Sequence, residues 1–376
     1  MDSLKILVSS YKPNSAPTNR LLSFLRGFSE LGVNAEVVFV YPSEASDRLD
    51  CIGLPNISVS YMWDKYRCRN KLYKYLRSFA DVKRWVNYLH AGDTIFLLGS
   101  SEYLPIIVKR RDLRIYQERT EHPAVNPLIP NCLQKKYLAA CKKLSGMFVI
   151  STALKRVYEQ MGVDNVHVVN MTVDANRFKG MKKSIDVEPY IAYCGTASNN
   201  KDGVDDLIKA FSIVVKTHPD LKLKIMGKAP SRDDESGNLK LVEDLGIKDK
   251  VVFTGIIPAT EMPQMLKNAT IVALARPDSL QAQCGFPTKL GEYLLSENPV
   301  VVTKVGDIPL FLSDNETALL SRERNPEEFA SKMVWVIDHP QEAETIGRKG
   351  AEVALREFNY LTESKKIIDT ITRDKQ

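Results

Sequence analysis

Short apolar segments rich in Ile and Val recur along the chain and alternate with longer, helix-like segments. These short segments are apolar without a two-residue alternation, which is typical of strands buried on both faces of a parallel sheet. We predict strands at 4–9, 36–41, 94–98, 114–117, 146–150, 166–169, 190–194, 221–226, 251–254, 271–275, 300–303 and 318–320. Strands that alternate with helices indicate repeated βαβ units, so the predicted fold class is α/β.

The pattern is interrupted once, by a polar and basic stretch that we interpret as a linker at 176–189. The sequence therefore predicts two doubly wound, Rossmann-like domains, at 1–175 and 190–355. We expect them to face a central cleft that binds a ligand at the carboxyl ends of the strands. Residues 356–376 are predicted to form a C-terminal helix that packs back toward the first domain.

Composition narrows the possible classes of protein. The 376 residues exceed what a single hydrophobic core usually serves, and 44% hydrophobic with 26% charged residues excludes disorder as the main state. A net charge of +6 is too small for a dedicated nucleic-acid binder, so no nucleic-acid partner is expected.

The six cysteines form no CxxC pair, which argues against a zinc site and favours a reducing compartment. The first apolar run is too short for a signal peptide, and we expect a cytoplasmic protein.

The segment 63–85 concentrates the charge of the chain. It carries eight Lys or Arg against two Asp, a net charge of +6 that equals that of the whole protein. Six aromatic residues, including Trp63 and Trp85, are interleaved with the basic ones. This combination suits contact with an anionic membrane surface, which would place the protein at the inner face of the membrane. A solvated helix with a buried aromatic stripe is the alternative.

The segment 281–312 contains the strongest local pattern. Gly285 and Pro287 interrupt the chain, and a helix is predicted from about residue 288 to 296. Lys289 and Glu292 are three positions apart and share a face of that helix. A lysine at a helix start opposes the helix dipole, which favours a bound anion there, and Glu292 could accept two ribose hydroxyls. A surface ion pair between Lys289 and Glu292 is the alternative.

A second pattern, YCGTASNNKDGVDDLIKAF, joins the strand at 190–194 to a helix that begins near Gly203. A strand, a glycine-containing loop and a helix form the usual cradle for a phosphate, although neither a Walker A motif nor G-x-G-x-x-G is present. Lys201 is the candidate phosphate contact, and Gly195 and Thr196 allow close approach of the backbone. An ordinary turn with an exposed lysine remains the alternative.

Together these segments resemble the family-4 retaining glycosyltransferases of the GT-B fold. The resemblance rests on five segments in the order of the family: VVNMTVDANRF, CGTASNNKDG, IMGKAP, VVFTGIIPATEMPQML, and GFPTKLGEYL followed by NPVVVTKVGDIPLFLSDNETALL. It covers most of the second domain and the first domain only loosely.

The resemblance implies transfer of a sugar from a nucleotide-diphosphate sugar to an acceptor hydroxyl with retention, in cell-surface polysaccharide or glycolipid synthesis. The second domain would bind the nucleotide, and the first would bind a sugar or lipid-linked acceptor. The donor-binding residues expected from spacing and resemblance together are Gly195, Thr196, Lys201, Gly227, Ile257, Gly285, Phe286, Pro287, Thr288, Lys289 and Glu292. The expected catalytic residues are Lys201, Lys289 and His122.

His122 follows a strand of the first domain, in IYQERTEHPAV, where the family often places an active-site histidine. A structural histidine is the alternative. Glu121 and His122 are expected on the acceptor side. Arg276 and Asp278 follow a strand of the second domain and could face the donor sugar or form an ion pair within their loop.

No cofactor is expected, and the acidic residues do not suggest a metal site. Asp205–Asp206 and Asp233–Asp234 fall in a predicted helix and a predicted polar loop, and we interpret both pairs as surface residues. Two further functions stay open: a nucleotide-sugar epimerase of the same fold, and a catalytically silent subunit that binds a nucleotide sugar. A solute-binding protein with two domains is disfavoured because no export signal is evident.

Overall fold

The computed structural model describes residues 4–42, 48–49, 52–63, 70–125 and 131–374. The chain forms two compact units, of which unit 1 comprises Met1–Thr172 and Tyr360–Gln376, and unit 2 comprises Val173–Asn359. Each unit is a parallel sheet with helices between its strands, which confirms the predicted α/β fold class. The predicted linker at 176–189 lies within unit 2, where Ala175–Phe178 forms a turn of 3-10 helix.

Unit 1 contains a seven-stranded sheet in the order β3-β2-β1-β4-β5-β6-β7. Its strands are β1 (Leu4–Val8), β2 (Ala35–Phe39), β3 (Ile57–Tyr61), β4 (Thr94–Leu98), β5 (Arg114–Arg119), β6 (Gly146–Val149) and β7 (Val166–Val168). The helices are α1 (Ala16–Glu30), α2 (Lys71–Asn87), α3 (Leu104–Ile107), α4 (Gln134–Cys141), α5 (Thr152–Gln160) and the C-terminal helix (Tyr360–Arg373).

The C-terminal helix packs against α1, although more than 300 residues separate them in sequence. Ile367 and Ile371 are fully buried in the same core as Phe24 and Phe28 of α1. The two helices approach closely because Gly27 faces the side chain of the residue at 364, where a Cβ would overlap. The last residues of the chain therefore belong to unit 1.

Unit 2 contains a six-stranded sheet in the order β10-β9-β8-β11-β12-β13. Its strands are β8 (Tyr190–Cys194), β9 (Lys222–Met226), β10 (Val251–Gly255), β11 (Ile271–Leu274), β12 (Val300–Thr303) and β13 (Leu319–Ser321). The helices are α6 (Asn199–Asp202), α7 (Val204–Val214), α8 (Arg232–Asp244), α9 (Met262–Asn268), α10 (Leu280–Cys284), α11 (Lys289–Leu295), α12 (Ile308–Phe311), α13 (Pro326–Asp338) and α14 (Pro340–Glu357). The strand order reverses between β8 and β11, and the carboxyl ends of strands at such a switch point are where open α/β sheets bind ligands.

All twelve predicted strands overlap observed ones, and three features differ from the sequence prediction. Asp206 was interpreted as a surface residue, and this was wrong, because it is 6% exposed and pairs with Lys209 and Arg324. Strand β3 was not predicted. Asp233 and Asp234 were predicted in a polar loop, and this was wrong, because they form the first turn of α8. Ser231 caps that helix by accepting the backbone N–H of Asp234. In the described part of the chain, no helix has the length and apolarity that crossing a membrane requires.

Candidate functional site

The loop that follows β8 brings three of the predicted donor-binding residues together. Gly195 has a φ of 150° and donates its N–H to the carbonyl of Met226, at the end of β9, over 2.8 Å. The Nζ of Lys289 lies against Gly195, in the volume that a Cβ would occupy. Thr196 is exposed beside them. Only glycine leaves room for the ammonium group at this position, so the loop and the start of α11 form one positively charged site at the end of β8.

Lys289 is held by Asp202 rather than by Glu292. Its Nζ lies 2.6 Å from Oδ2 of Asp202 and 2.9 Å from the hydroxyl of Tyr193. Burial, the largest influence, lowers the pKa of the Lys289 ammonium, whereas the charge of Asp202 acts in the opposite direction. The structure therefore replaces the ion pair between Lys289 and Glu292, which the sequence left open, with a contact between α11 and α6.

Asp202 also faces Arg276, which follows β11. Both side chains are about 1% exposed, and Nη1 of Arg276 lies 3.8 Å from Oδ1 of Asp202. Burial lowers the pKa of the Arg276 guanidinium. Arg276 is thus directed inward, toward α6, while Asp278 accepts a hydrogen bond from Gln283. Residues from the ends of β8 and β11 meet at the switch point of the sheet.

Lys201 and Gly227 lie at the same edge of the sheet. Lys201 is half-buried in α6, and its charge contributes to lowering the pKa of Lys289. Gly227 follows β9, donates its N–H to the carbonyl of Gly255 over 2.8 Å, and packs against the carbonyl of Gly195. The structure therefore gathers Gly195, Thr196, Lys201, Gly227 and Lys289 around one loop.

Glu292 forms an ion pair with Arg177, one turn along α11 from Lys289. Nη2 of Arg177 also donates to the carbonyl of Ala259 over 2.7 Å. Ala259 lies in the segment after β10, together with the half-buried Ile257. Burial lowers the pKa of the Arg177 guanidinium. Arg177 thus connects the carboxylate that was predicted to bind ribose with the segment that contains Ile257, another predicted donor-binding residue.

The remaining predicted donor residues form the turn between α10 and α11. This turn consists of Gly285, Phe286, Pro287 and Thr288. The ring of Phe286 is buried against Phe311 and Phe358, with ring centroids 5.5 Å apart in each case. The aromatic side chain therefore stabilises the core of unit 2 and fixes where α11 begins, which in turn positions Lys289.

His122 and Glu121 lie in unit 1, just after β5. Nδ1 of His122 accepts the backbone N–H of Ala124 over 3.1 Å, which assigns the proton of the neutral ring to Nε2. Partial burial lowers the pKa of His122. The histidine therefore shapes its own turn and also offers one N–H donor. Glu121 is half-buried beside it.

Sequence reasoning did not single out Asp202, Tyr193 or Arg177. Asp202 is adjacent to a lysine and a glycine, which made it look like part of a solvated turn. The pattern that could have found it is the end of a buried strand followed within ten residues by a single acidic residue. Within the described residues, no group of three or more His, Cys, Asp or Glu side chains is arranged to hold a metal ion.

Part of the chain is similar in sequence to known proteins. Residues 188–339, within unit 2 as the structure divides the chain, match the family model described as Glycosyl transferases group 1. The chain is 25% identical over 170 residues to D-inositol 3-phosphate glycosyltransferase of Segniliparus rotundus, a match that covers 45% of this chain and 36% of that enzyme. It is 24% identical over 234 residues to poly(ribitol-phosphate) alpha-N-acetylglucosaminyltransferase of Staphylococcus aureus, covering 61% of this chain and 44% of that enzyme.

Solved structures resemble the chain over nearly its whole length. HepE of Anabaena in complex with UDP aligns with a TM-score of 0.77 at 17% identity, covering 99% of this chain and all of that one. Sucrose-phosphate synthase of Thermosynechococcus elongatus aligns with a TM-score of 0.74 at 14% identity, covering 99% of both chains. The α/β fold is therefore of the GT-B type. The matched region spans less than half of the length of the two curated relatives.

Proposed function

We propose that this protein is a family-4 retaining glycosyltransferase, which moves a sugar from a nucleotide-diphosphate sugar to an acceptor hydroxyl in cell-surface polysaccharide or glycolipid synthesis. The observation that carries the proposal is the ammonium of Lys289 against Gly195, at the switch point of the sheet of unit 2. The match of residues 188–339 to Glycosyl transferases group 1 and the likeness to HepE with bound UDP support it.

In this proposal the donor binds along the carboxyl edge of the sheet in unit 2. Lys201 and Lys289 hold the diphosphate, Glu292 accepts the ribose hydroxyls, and the segment containing Ile257 holds the base. Negative charge on the diphosphate grows as its bond to the sugar breaks. Two fixed ammonium groups therefore stabilise the transition state more than the bound donor.

The acceptor side of the reaction belongs to unit 1. His122 presents the N–H of Nε2, which can position an acceptor or sugar hydroxyl, and Glu121 lies beside it. The departing phosphate takes the proton of the attacking hydroxyl, so the mechanism does not require a nucleophile from the protein. The same two lysines supply the positive charge that a divalent cation supplies in other transferases, so we propose that the enzyme is metal-independent and needs no cofactor.

Thermal stability in the presence of UDP, GDP, ADP and their glucose esters tests the proposal. A ligand present at ~100 times its dissociation constant adds about 2.7 kcal/mol to the free energy of unfolding. We expect this stabilisation from the nucleotides of one base and not from those of the other two. Release of free sugar from that donor, also in the presence of EDTA, distinguishes the transferase from a silent subunit. Recovery of an epimerised sugar would favour the epimerase, and the absence of stabilisation by every nucleotide would contradict the proposal.

We also propose that α2 attaches unit 1 to an anionic membrane on its cytoplasmic face, where a lipid-linked acceptor would be presented. The first turns of α2 expose Leu72 and Leu76 at 66% and 59%. Because they are four positions apart, they share one face of the helix. Lys71 and Lys83 are exposed on the same helix. Exposed leucines beside lysines suit shallow insertion among anionic headgroups.

Two side chains of the predicted basic segment at 63–85 take no part in this surface. Trp63 is 2% exposed, and the guanidinium of Arg77 lies 4.2 Å from its ring centroid. Arg77 also donates to Asp81 over 3.3 Å. These side chains stabilise the fold. Residues 64–69, which carry three of the eight basic residues, lie outside the described residues.

Co-sedimentation with vesicles of neutral or anionic phospholipid tests the attachment. The double variant Lys71→Glu, Lys83→Glu reverses two charges worth ~1 kcal/mol each, so we expect its partition onto anionic vesicles to fall at least ~tenfold. The variant Leu72→Ser, Leu76→Ser should bind both kinds of vesicle more weakly and keep its preference for the anionic lipid. Lys240→Glu, Lys248→Glu, which changes exposed lysines of unit 2, is the matched control. Equal binding to both lipids by the wild type would exclude this role of α2.

A further inference from the structure

The side chain of Asp202 is the only carboxylate among those described that contacts the proposed diphosphate lysine Lys289. One oxygen of Asp202 accepts from Lys289 at 2.6 Å and from Tyr193 at 3.0 Å. The other oxygen, Oδ1, faces Arg276 at 3.8 Å, beyond hydrogen-bond distance. Among the described residues Oδ1 of Asp202 and Nε of Arg276 have no hydrogen-bond partner. Asp202 is thus the anion around which the cations of this site are arranged.

A buried carboxylate costs several kcal/mol unless a cation pairs with it, and a buried ammonium has the same need. The pairing of Asp202 with Lys289 meets both needs while the site is empty. It also means that Lys289 reaches the loop of Gly195 with its charge already compensated. A diphosphate that enters this loop meets the attraction of Lys289 together with the repulsion of Asp202.

We infer that Asp202 is a built-in counter-anion, which a donor diphosphate must displace from Lys289, and that it weakens binding of the free nucleoside diphosphate more than binding of the nucleotide-diphosphate sugar. This inference rests on the proposed function. It assigns Asp202 as a positioning and specificity-determining residue, and it deepens that function by naming how the product is discriminated from the substrate.

The charges of the site and its ligands give the direction of this preference. Asp202 with Lys201, Arg276 and Lys289 carries a net formal charge of +2. A diphosphate esterified at both ends carries two negative charges, which this site balances. Loss of the sugar frees a terminal phosphate whose second ionisation has a pKa near ~6, so the product carries about one charge more at pH 7. The extra charge of the product is repelled by Asp202, which favours its release.

The variant Asp202→Asn removes the negative charge and keeps the size of the side chain. We expect the affinity for the nucleoside diphosphate to rise by about tenfold, the effect of one charged contact, and the affinity for its glucose ester by about fivefold, in proportion to its smaller charge. The dissociation constant of the nucleoside diphosphate, divided by that of its glucose ester, therefore falls. Inhibition by the product becomes stronger. Affinities are measured by calorimetric titration with UDP, GDP or ADP, whichever binds the wild type, and with its glucose ester by competition.

A second variant keeps the inference testable if Asp202→Asn lowers stability. In the Lys289→Met protein, Asp202 faces the diphosphate without its lysine partner. Part of the affinity that this variant loses is therefore due to repulsion between Asp202 and the diphosphate. Adding Asp202→Asn to Lys289→Met should restore at least ~tenfold of that affinity, although it removes a second polar group from the site. Asp244→Asn, which makes the same change at an exposed carboxylate of α8, is the control and should leave the ratio of product to donor affinity unchanged.

The outcomes separate the inference from the function on which it rests. A wild type that binds none of the nucleotides contradicts the proposed function itself. A wild type that binds one of them, with Asp202→Asn folded and the affinity ratio unchanged, overturns the inference alone. A double variant that binds no better than Lys289→Met overturns it as well.

Discussion

Replacing Gly203 with alanine is expected to lower the free energy of unfolding by about 3 kcal/mol or more. Gly203 joins α6 to α7 with a φ of 66° and a ψ of 40°, in the left-handed region. A Cβ there would overlap with the carbonyl oxygen of Ala275, a backbone atom that cannot move without displacing the end of β11. Strain and overlap act together, so this is the largest effect that we expect from adding one methyl group to unit 2.

Urea denaturation followed by circular dichroism measures this effect. Gly237→Ala is the matched control, because Gly237 lies within α8 and a Cβ there would meet no atom within 4 Å. Alanine in a helix interior is favoured over glycine by ~0.5–1 kcal/mol, so the control should be slightly stabilised. A Gly203→Ala protein with the unfolding midpoint of the wild type would show that the contact with Ala275 is looser than the structure has it.

Much of the fold follows from the sequence because its strands are buried on both faces. Segments such as 94–98 and 300–303 are apolar except for one threonine each, and such segments recurring along one chain are typical of the strands of a covered sheet. Strand β3 lacks this property, since Ile57–Tyr61 alternates apolar residues with serine and lies at the edge of the sheet. The edge strands β10 and β13 were predicted because their apolar residues are consecutive, so the serines of β3, rather than its place at the edge, hid it from the pattern.

The site was predictable only as far as it is local in sequence. Gly195 and Lys201 belong to one turn after one strand, so their proximity follows from the chain itself. The pairing of Lys289 with Asp202 joins residues 87 positions apart and depends on the crossing of α11 over the loop after β8. The inward direction of Phe286 is equally tertiary, because a phenylalanine between a glycine and a proline fits a ligand pocket as well as a core.

Replacing Arg177 with methionine is expected to weaken binding of the nucleoside part of the donor by about tenfold to a hundredfold, the range for a charged hydrogen bond of ~1.5–3 kcal/mol. Arg177 pairs with Glu292 and holds the carbonyl of Ala259 at 2.7 Å, so its loss frees both the carboxylate and the segment after β10. We expect the Arg177→Met protein to distinguish poorly between a nucleoside diphosphate and its 2′,3′-dideoxy analogue. Binding of inorganic pyrophosphate should change much less.

The double variant Arg177→Met, Glu292→Gln shows whether Arg177 acts through Glu292. Glu292→Gln keeps one acceptor oxygen and removes the charge, and we expect it alone to lower nucleotide affinity by ~1–3 kcal/mol. If Arg177 acts by orienting the Glu292 carboxylate, the Glu292→Gln protein has already lost discrimination against the dideoxy analogue. Adding Arg177→Met to that variant then reduces the discrimination no further. Arg348→Met, which breaks an exposed ion pair with Glu344 on α14, is the matched control and should bind as the wild type does. Fully additive losses of ribose discrimination in the double variant would show that Arg177 and Glu292 contribute independently, and Glu292 would then have to be oriented by another group.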